Sequence, residues 1–168
     1  MRHLRRQGVR VLAVSGFYAT PCMPAGAGPD YVNAAARLAC ADPPERLLAR
    51  LHATEQAFGR ARAGRWGGRT LDLDLLAADG LVLPDRATHD RWRRLPADDQ
   101  MALAPDRLIL PHPRLQDRAF VLVPLADVAP DWRHPVLGLS VRAMLRALPA
   151  GEVAQVRPLP GTKGDAGP

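Results

Sequence analysis

The alternation of apolar and polar residues predicts strands in the first half of the chain. Residues 10–17, R-V-L-A-V-S-G-F, form a mainly apolar run that is typical of a strand. In residues 71–76, L-D-L-D-L-L, leucine and aspartate alternate, which is the period of a strand whose successive side chains point to opposite faces. The Asp79-Gly80 pair then favours a turn, and the apolar residues 81–83 predict a second strand and therefore a hairpin.

A helix is predicted between two residues that favour helix ends. Asp42 is expected to cap it, with Glu45 at the capping-box position, and Gly59 is expected to end it. The stripe of this helix that faces the core is expected to contain Leu47, Leu51, Thr54 and Phe58. Glu55 lies beside that stripe, where an acidic residue calls for an explanation.

The second half of the chain gives weaker patterns. Residues 85–106 are expected to form one or two short amphipathic helices. Ser140 is expected to cap a last helix, because apolar residues follow it at helical spacing. Beyond residue 150 the chain is rich in Gly and Pro, so we expect one domain over residues 1–150 and a disordered tail over residues 151–168.

Composition and charge narrow the class of protein. A chain of 168 residues with 47% hydrophobic and 24% charged residues is expected to fold as one soluble domain. The net charge of +6 predicts an anionic partner, either a nucleotide or a nucleic acid. Nucleic acid is disfavoured, because aromatic residues make up only 5% and the arginines lie beside carboxylates that would repel a phosphate backbone without a metal ion.

Export and membrane insertion are also disfavoured. The apolar run at residues 9–14 is too short for a signal sequence or a membrane span, so we expect a cytoplasmic protein. Cys22 and Cys40 lack the spacing of metal ligands, and without an export signal we expect two free thiols.

The candidate chemistry is concentrated in residues 65–76, R-W-G-G-R-T-L-D-L-D-L-L. Asp72 and Asp74 share one face of the predicted strand, with Cα atoms roughly 6.6 Å apart, so both carboxylates can reach one divalent ion or a pair. Two neighbouring carboxylates repel each other unless a cation or a proton lies between them. Arginines interleaved with glycines precede them and match phosphate oxygens. The pattern predicts a metal-bound polyphosphate, and the alternative it leaves open is a half-exposed strand after a solvated turn.

This run resembles the signature of the 6-hydroxymethyl-7,8-dihydropterin pyrophosphokinase family, folate-pathway enzymes that pass pyrophosphate from ATP to a pterin alcohol. Gly68 departs from the signature, since the family usually has Pro or another small residue there. Further matches in the same order are T-P at residues 20–21, D-Y-V-N-A at residues 30–34 and P-H at residues 111–112. The resemblance implies a ferredoxin-like α+β fold, an antiparallel sheet covered by helices. It continues through residues 120–125, which would form a buried strand followed by a short helix.

The resemblance also implies a pterin site. Tyr31 would line the pocket, Phe120 would stack on the pterin opposite it, and Asn33 would hydrogen-bond the ring edge. The main chain at Thr20 and Pro21 would complete the site. The residue types alone leave two alternatives open, a turn cap for Asn33 and an edge of the core for Tyr31.

An ATP site is implied in the same way, consisting of Glu55, Arg60, Arg62, Trp66, Arg69, Leu108, His112 and Arg118. Asp72 and Asp74 would hold two Mg²⁺ ions and, with Arg60 and Arg69, form the catalytic set. Asp74 is also the best candidate for a general base. The alternatives are a flanking acid that pairs with an arginine for Glu55 and a turn residue for His112.

The family begins with a strand and a helix that precede the strand matched by residues 10–17. Residues 1–7 are too short to hold both, so we expect a truncated fold that lacks them, with residues 1–7 in the connection after the missing helix. Each buried side chain lost would cost about 1.5–3 kcal/mol against a total stability of ~5–15 kcal/mol. We therefore expect low stability and weak activity.

Taken together, the sequence predicts a monomeric diphosphokinase that uses ATP and Mg²⁺ and binds neither nucleic acid nor membrane. One alternative is a truncated family member with little or no activity. The other is a basic, non-catalytic module that binds anions or nucleic acid. No function is assigned to Trp92 or to the arginines around it. Residues 85–106 are longer than the segment that the family generally has between the hairpin and the next motif, so they are interpreted as a solvated amphipathic insertion.

Overall fold

The computed structural model describes residues 2–22, 28–58, 71–96, 99 and 102–161. The helices are α1 (Arg2–Arg6), α2 (Pro44–Ala57), α3 (Arg86–Arg93), α4 (Ala119–Val128), α5 (Val141–Ala147) and α6 (Ala150–Ala154), with a 3-10 turn at Leu115–Asp117. The strands are β1 (Arg10–Val14), β2 (Tyr18–Thr20), β3 (Tyr31–Asn33), β4 (Ala36–Ala39) and β5 (Arg157–Pro158).

The strands form two small antiparallel sheets. β1 pairs with β4, with a bulge between Val11 and Ala13. β2 lies in the middle of the second sheet, between β3 and β5. The predicted α+β class with antiparallel pairing is confirmed, although the described strands are divided between two sheets.

One hydrophobic cluster joins α1, α2 and the aspartate-containing segment at residues 71–76. Leu4, Val9, Leu47 and Leu51 are its buried members, and Leu73 and Leu75 pack against it. Residues 2–6 are therefore a helix that contributes Leu4 to the core, rather than the connection that the sequence predicted.

A second hydrophobic cluster joins α4 and α5. Its buried members are Leu115, Leu122, Val141 and Met144, and Leu76 packs against it. Helix α4 also contacts β1, β2, β3 and β4, so it connects this cluster to both sheets. Residues 71–76 thus reach both clusters, which fixes the position of the aspartates between them.

The strand predicted at residues 120–125 is wrong, because these residues belong to α4. A continuous apolar run has no polar positions to reveal its period, so it fits a buried helix as well as a buried strand. Helix α4 contacts strands of both sheets and α5, and a helix that is covered by several elements is apolar over most of its surface.

Residues 71–75 alternate between half-buried and exposed side chains, as predicted, but residues 71–76 do not form a regular strand. Asp72 and Asp74 are exposed, whereas Leu71, Leu73 and Leu75 are half-buried. The predicted hairpin is wrong, because the backbone of Leu83 pairs with that of Leu110, with N–O distances of 2.8 and 3.2 Å. Asp79, at a φ of 47°, helps to turn the chain toward that partner.

The ends of the predicted helices match the structure in part. Asp42 does not cap α2, which begins after Pro43, and instead forms ion pairs with Arg46 and Arg50. Gly59 lies outside the described residues. The cap of α5 is confirmed, since Ser140 Oγ accepts a hydrogen bond of 3.2 Å from the N–H of Ala143.

The inward stripe of α2 is confirmed for its first three members but not for the last. Leu47, Leu51 and Thr54 are buried, whereas Phe58 is 55% exposed. Phe58 has the spacing of the stripe but lies beyond the last turn of α2 as its C-cap, where the helix no longer sets its direction.

The C-terminal region contains regular structure where composition predicted disorder. Helix α6 and strand β5 occupy residues 150–158, and the N–H of Leu159 donates to the carbonyl of Phe17 at 2.8 Å. Residues 162–168 lie outside the described part. Cys22 and Cys40 are both free thiols, as predicted. None of the described helices is long and apolar enough to cross a membrane.

Candidate active site

The aspartate pair is held in place by a buried carboxylate from α2. Glu55 is 1% exposed, and its Oε1 accepts a hydrogen bond of 2.7 Å from the main-chain N–H of Leu73. Leu73 stands between Asp72 and Asp74, so this bond fixes the backbone that carries both aspartates. The position of Glu55 beside the apolar stripe of α2 therefore has a structural explanation in its contact with residues 71–76.

Asp72 and Asp74 both present oxygen ligands on the exposed side of their segment. In the described part of the chain no group of three or more His, Cys, Asp or Glu side chains is placed to hold a metal ion. Mg²⁺ usually binds through one or two carboxylates and takes its other ligands from water and substrate phosphates. The two aspartates fit such an ion.

Asp74 lines a cavity of about 470 Å³, and His112, Arg114 and Arg118 line it too. A volume of this order is typical of small-molecule sites. Arg107 and Asp106 also line it, so one histidine and three arginines lie beside two carboxylates. This lining is suited to an anionic ligand that also carries a metal ion.

His112 is positioned as a neutral hydrogen-bond donor. Its Nδ1 accepts from the N–H of Arg114 at 3.1 Å, so the proton of the neutral ring is assigned to Nε2. Burial lowers the pKa of His112, and the charge of Arg118 lowers it further, while Asp74 acts in the opposite direction. The N–H of His112 donates to the carbonyl of Leu76 at 2.8 Å, which ties the histidine to the aspartate segment.

Arg118 connects the cavity to an aromatic ring. Burial lowers the pKa of Arg118 below the usual value for an arginine, and Arg114 adds to this effect, yet an arginine remains charged at neutral pH. Its guanidinium carbon lies 5.6 Å from the ring centroid of Phe120, which is 39% exposed at the start of α4. The cationic side chain of Arg118 therefore lies beside the aromatic ring of Phe120.

The residues predicted to bind pterin lie on the second sheet and on the helix that packs against it. The side-chain nitrogen of Asn33 donates to Thr20 Oγ1 at 2.7 Å, so the two residues act as a pair. Tyr31 is 52% exposed on β3, and the helix that carries Phe120 packs against β2 and β3. Asn33 is the last residue of β3, and its side chain hydrogen-bonds to Thr20 on the neighbouring strand β2. It therefore does not act as a turn cap.

Sequence reasoning missed two residues near these groups. Arg114 lies in the cavity, and its place two residues after His112 in a P-H-P-R run could have drawn attention to it. Asp127 accepts hydrogen bonds from the N–H of Gly16 at 3.1 Å and from the hydroxyl of Tyr18 at 2.8 Å. Burial and this carboxylate raise the pKa of Tyr18 to about 12. No sequence pattern marks Asp127, because its partners are distant in the chain.

Four of the predicted ATP ligands lie outside the described residues: Arg60, Arg62, Trp66 and Arg69. Within the described part, Asp74, Leu108, His112 and Arg118 line one cavity, and Glu55 contacts the backbone beside it.

Aspartates, arginines and a neutral histidine around one cavity of an α+β domain are typical of proteins that bind phosphate-bearing ligands. The family model for 7,8-dihydro-6-hydroxymethylpterin-pyrophosphokinase matches residues 1–130. The chain belongs to this family, as the sequence motifs indicated, and the family uses ATP as a substrate.

Individual relatives agree with this assignment. The chain is similar to proteins named 2-amino-4-hydroxy-6-hydroxymethyldihydropteridine pyrophosphokinase from three bacteria. It is 39% identical over 130 residues to that of Synechocystis, 35% over 149 residues to that of Methylorubrum extorquens and 39% over 140 residues to that of Pseudomonas aeruginosa. These matches cover 77%, 89% and 83% of this chain and 56%, 80% and 74% of the relatives. The chain thus spans little more than half the length of the Synechocystis protein.

Proposed function

We propose that this chain transfers pyrophosphate from ATP to the hydroxymethyl group of 6-hydroxymethyl-7,8-dihydropterin and releases AMP, a step of folate biosynthesis. The observation that carries the proposal is the cavity that joins Asp74 of the aspartate segment to His112, Arg114 and Arg118. That combination of groups serves a metal-bound polyphosphate, and it occurs in a chain of the pyrophosphokinase family.

The polyphosphate chain of ATP would lie against the cationic side of the cavity. Arg118 and Arg114 neutralise charge on the phosphate oxygens, and the Nε2–H of His112 donates one hydrogen bond without adding charge. Asp72 and Asp74 would hold Mg²⁺, which neutralises phosphate charge when it is bound. Arg60, Arg62 and Arg69 are proposed to add further donors, and the main chain near Leu108 is proposed to read the adenine.

The pterin would lie on the aromatic side of the site. Tyr31 and Phe120 offer exposed rings for stacking, and Thr20 and Pro21 contribute main-chain groups. Because the Asn33 amide nitrogen donates to Thr20, its Oδ1 remains available to accept from ring N–H groups. The hydroxymethyl oxygen then attacks the β-phosphorus, the bond from that phosphorus to the oxygen of AMP breaks, and Asp74 is the candidate acceptor of the proton.

A coupled assay of AMP release with ATP, Mg²⁺ and the pterin alcohol tests this function. The chain should release AMP only when the pterin is present. Asp72→Ala and Asp74→Ala should each lower kcat by about 10²-fold or more, because each removes an oxygen ligand of the metal. The same variants should stay folded, since both side chains are exposed and their mutual repulsion is removed.

Two outcomes would contradict the proposal. One is full activity in both aspartate variants, which would refute the metal assignment. The other is an isothermal titration without ATP affinity in the presence of Mg²⁺ but with tight, salt-sensitive binding of RNA, which would identify a basic binding module instead.

A further inference from the structure

The segment after Leu83, to which the sequence analysis assigned no function, forms part of the wall of the phosphate cavity. Trp92 on α3 and Leu103 and Pro105 beyond it line the same space as Asp74 and His112. Leu103 and Pro105 are apolar, and Trp92 is a half-buried aromatic residue in the cavity wall. The cavity therefore combines an ionic lining with an apolar and aromatic one.

Helix α3 is fixed to the segment that carries His112. His89 is fully buried, and its Nε2 lies 3.0 Å from the carbonyl oxygen of Pro111, the residue before His112. The backbone pairing of Leu83 with Leu110 anchors the chain just before the helix. Asp85 caps the helix, since its Oδ1 accepts from the N–H of Thr88 at 2.8 Å.

The position of Trp92 follows from this anchoring. Residues three apart lie on the same side of a helix, so Trp92 follows His89 toward the His112 segment. A side chain that is placed by a capped and anchored helix loses little conformational freedom when a ligand binds. Trp92 is thus a preorganised aromatic surface beside the phosphate-binding groups.

We propose that Trp92 is the side chain on which the purine base of the nucleotide stacks. A nucleoside triphosphate consists of an anionic chain and a flat aromatic base. The cavity supplies Arg114 and Arg118 for the first and the indole of Trp92, with Leu103, for the second. This inference rests on the proposed function and deepens it by assigning a base-binding residue in the segment between Leu83 and Leu108.

Isothermal titration with two probes separates base binding from phosphate binding. The probes are the Mg²⁺ complexes of α,β-methylene-ATP, which is not cleaved, and of inorganic tripolyphosphate, which has no base. Trp92→Ala should weaken the nucleotide by about tenfold or more, as expected for loss of one stacked base, and should change tripolyphosphate by less than about twofold. Trp92→Phe should keep most of the nucleotide affinity because it keeps a ring.

Two further variants control for folding. Trp92→Leu keeps an apolar side chain without the ring, so it should remain folded and should lose nucleotide affinity as Trp92→Ala does. Arg91→Ala removes an exposed side chain from the same helix and should bind both probes as the original chain does.

The inference is overturned if Trp92→Leu binds the nucleotide normally, or if it weakens both probes equally, because Trp92 would then only support the cavity. An original chain that binds neither probe would instead overturn the proposed function, and this inference with it.

Discussion

At the residue scale, Glu55 illustrates how one buried carboxylate can hold the backbone of a candidate site in place. Its hydrogen bond to the Leu73 N–H adds a polar contact to the apolar packing between α2 and the aspartate segment. A buried amide that loses its acceptor costs about 1–3 kcal/mol. Glu55 therefore contributes to folding stability and to the position of Asp72 and Asp74 through the same bond.

Glu55→Ala should accordingly lower the free energy of unfolding by about 1–3 kcal/mol and raise the Mg²⁺ concentration needed for half-maximal activity. Glu55→Gln keeps an acceptor oxygen, so it should retain most of the stability. Urea unfolding and a Mg²⁺ titration of AMP release measure the two effects. Equal Mg²⁺ dependence in the original chain and Glu55→Ala would show that the bond does not position the aspartates.

At the element scale, the C-terminal strand completes the sheet of the proposed pterin site. β5 pairs with β2, and β2 pairs with the strand that carries Tyr31 and Asn33. Arg157 adds an ion pair with Asp30 at 3.3 Å, just before that strand. The C-terminal segment thus supports β2 from the side opposite β3.

A chain that ends at Pro149 should melt at a lower temperature and should have a KM for the pterin several-fold higher. Its affinity for Mg²⁺ and α,β-methylene-ATP should change little, because the phosphate cavity is formed by residues before 119. A chain that ends at Gly161 keeps every described contact of β5 and is the matched control. If the shorter chain had an unchanged pterin KM, β5 would have no part in positioning the site.

At the scale of the whole molecule, two buried histidines connect α3 to the turn before α5. The rings of His89 and His134 are 5.7 Å apart between centroids, and both are fully buried. His134 Nδ1 accepts from the N–H groups of Val136 and Leu137 at 3.2 and 3.3 Å. Burial lowers the pKa of His134 to about 4, with His89 adding to the effect, and burial also lowers the pKa of His89.

These lowered pKa values make stability depend on pH. Below pH ~6.5 the histidines of the unfolded chain take up protons, while the buried rings remain neutral. The unfolded state then binds more protons, so the free energy of unfolding falls as pH falls from about 6.5 to about 4. His134 by itself accounts for about 3 kcal/mol over that window.

Urea unfolding at about pH 7.5 and about pH 4.5 measures this loss. His134→Asn should show a smaller difference between the two pH values, because the amide oxygen replaces Nδ1 as acceptor and does not titrate. His52→Asn changes an exposed histidine on α2 and should leave the difference unchanged. A loss of the same size in His134→Asn would place the titrating groups elsewhere.

The sequence by itself determined the features that depend on local pattern. The alternation of residues 71–76 placed both aspartates on one exposed side, and Ser140 marked the start of α5, because side-chain direction and helix capping involve only neighbouring residues. The motifs likewise identified the family, since they preserve charged and apolar residues in a fixed order. The α+β class was implied by the resemblance to that family.

Only the tertiary structure decided which segments meet. Residues 120–125 became a helix because both sheets and α5 cover them, and an apolar run alone does not distinguish that surrounding from a sheet. Leu83 pairs with Leu110 rather than with residues 71–76, and Glu55 bonds to Leu73, although neither pair is marked in the sequence. The position of Trp92 at the cavity also depends on a long-range contact, that of His89 with Pro111. Packing between segments so distant in the chain is determined by the whole core, not by local sequence.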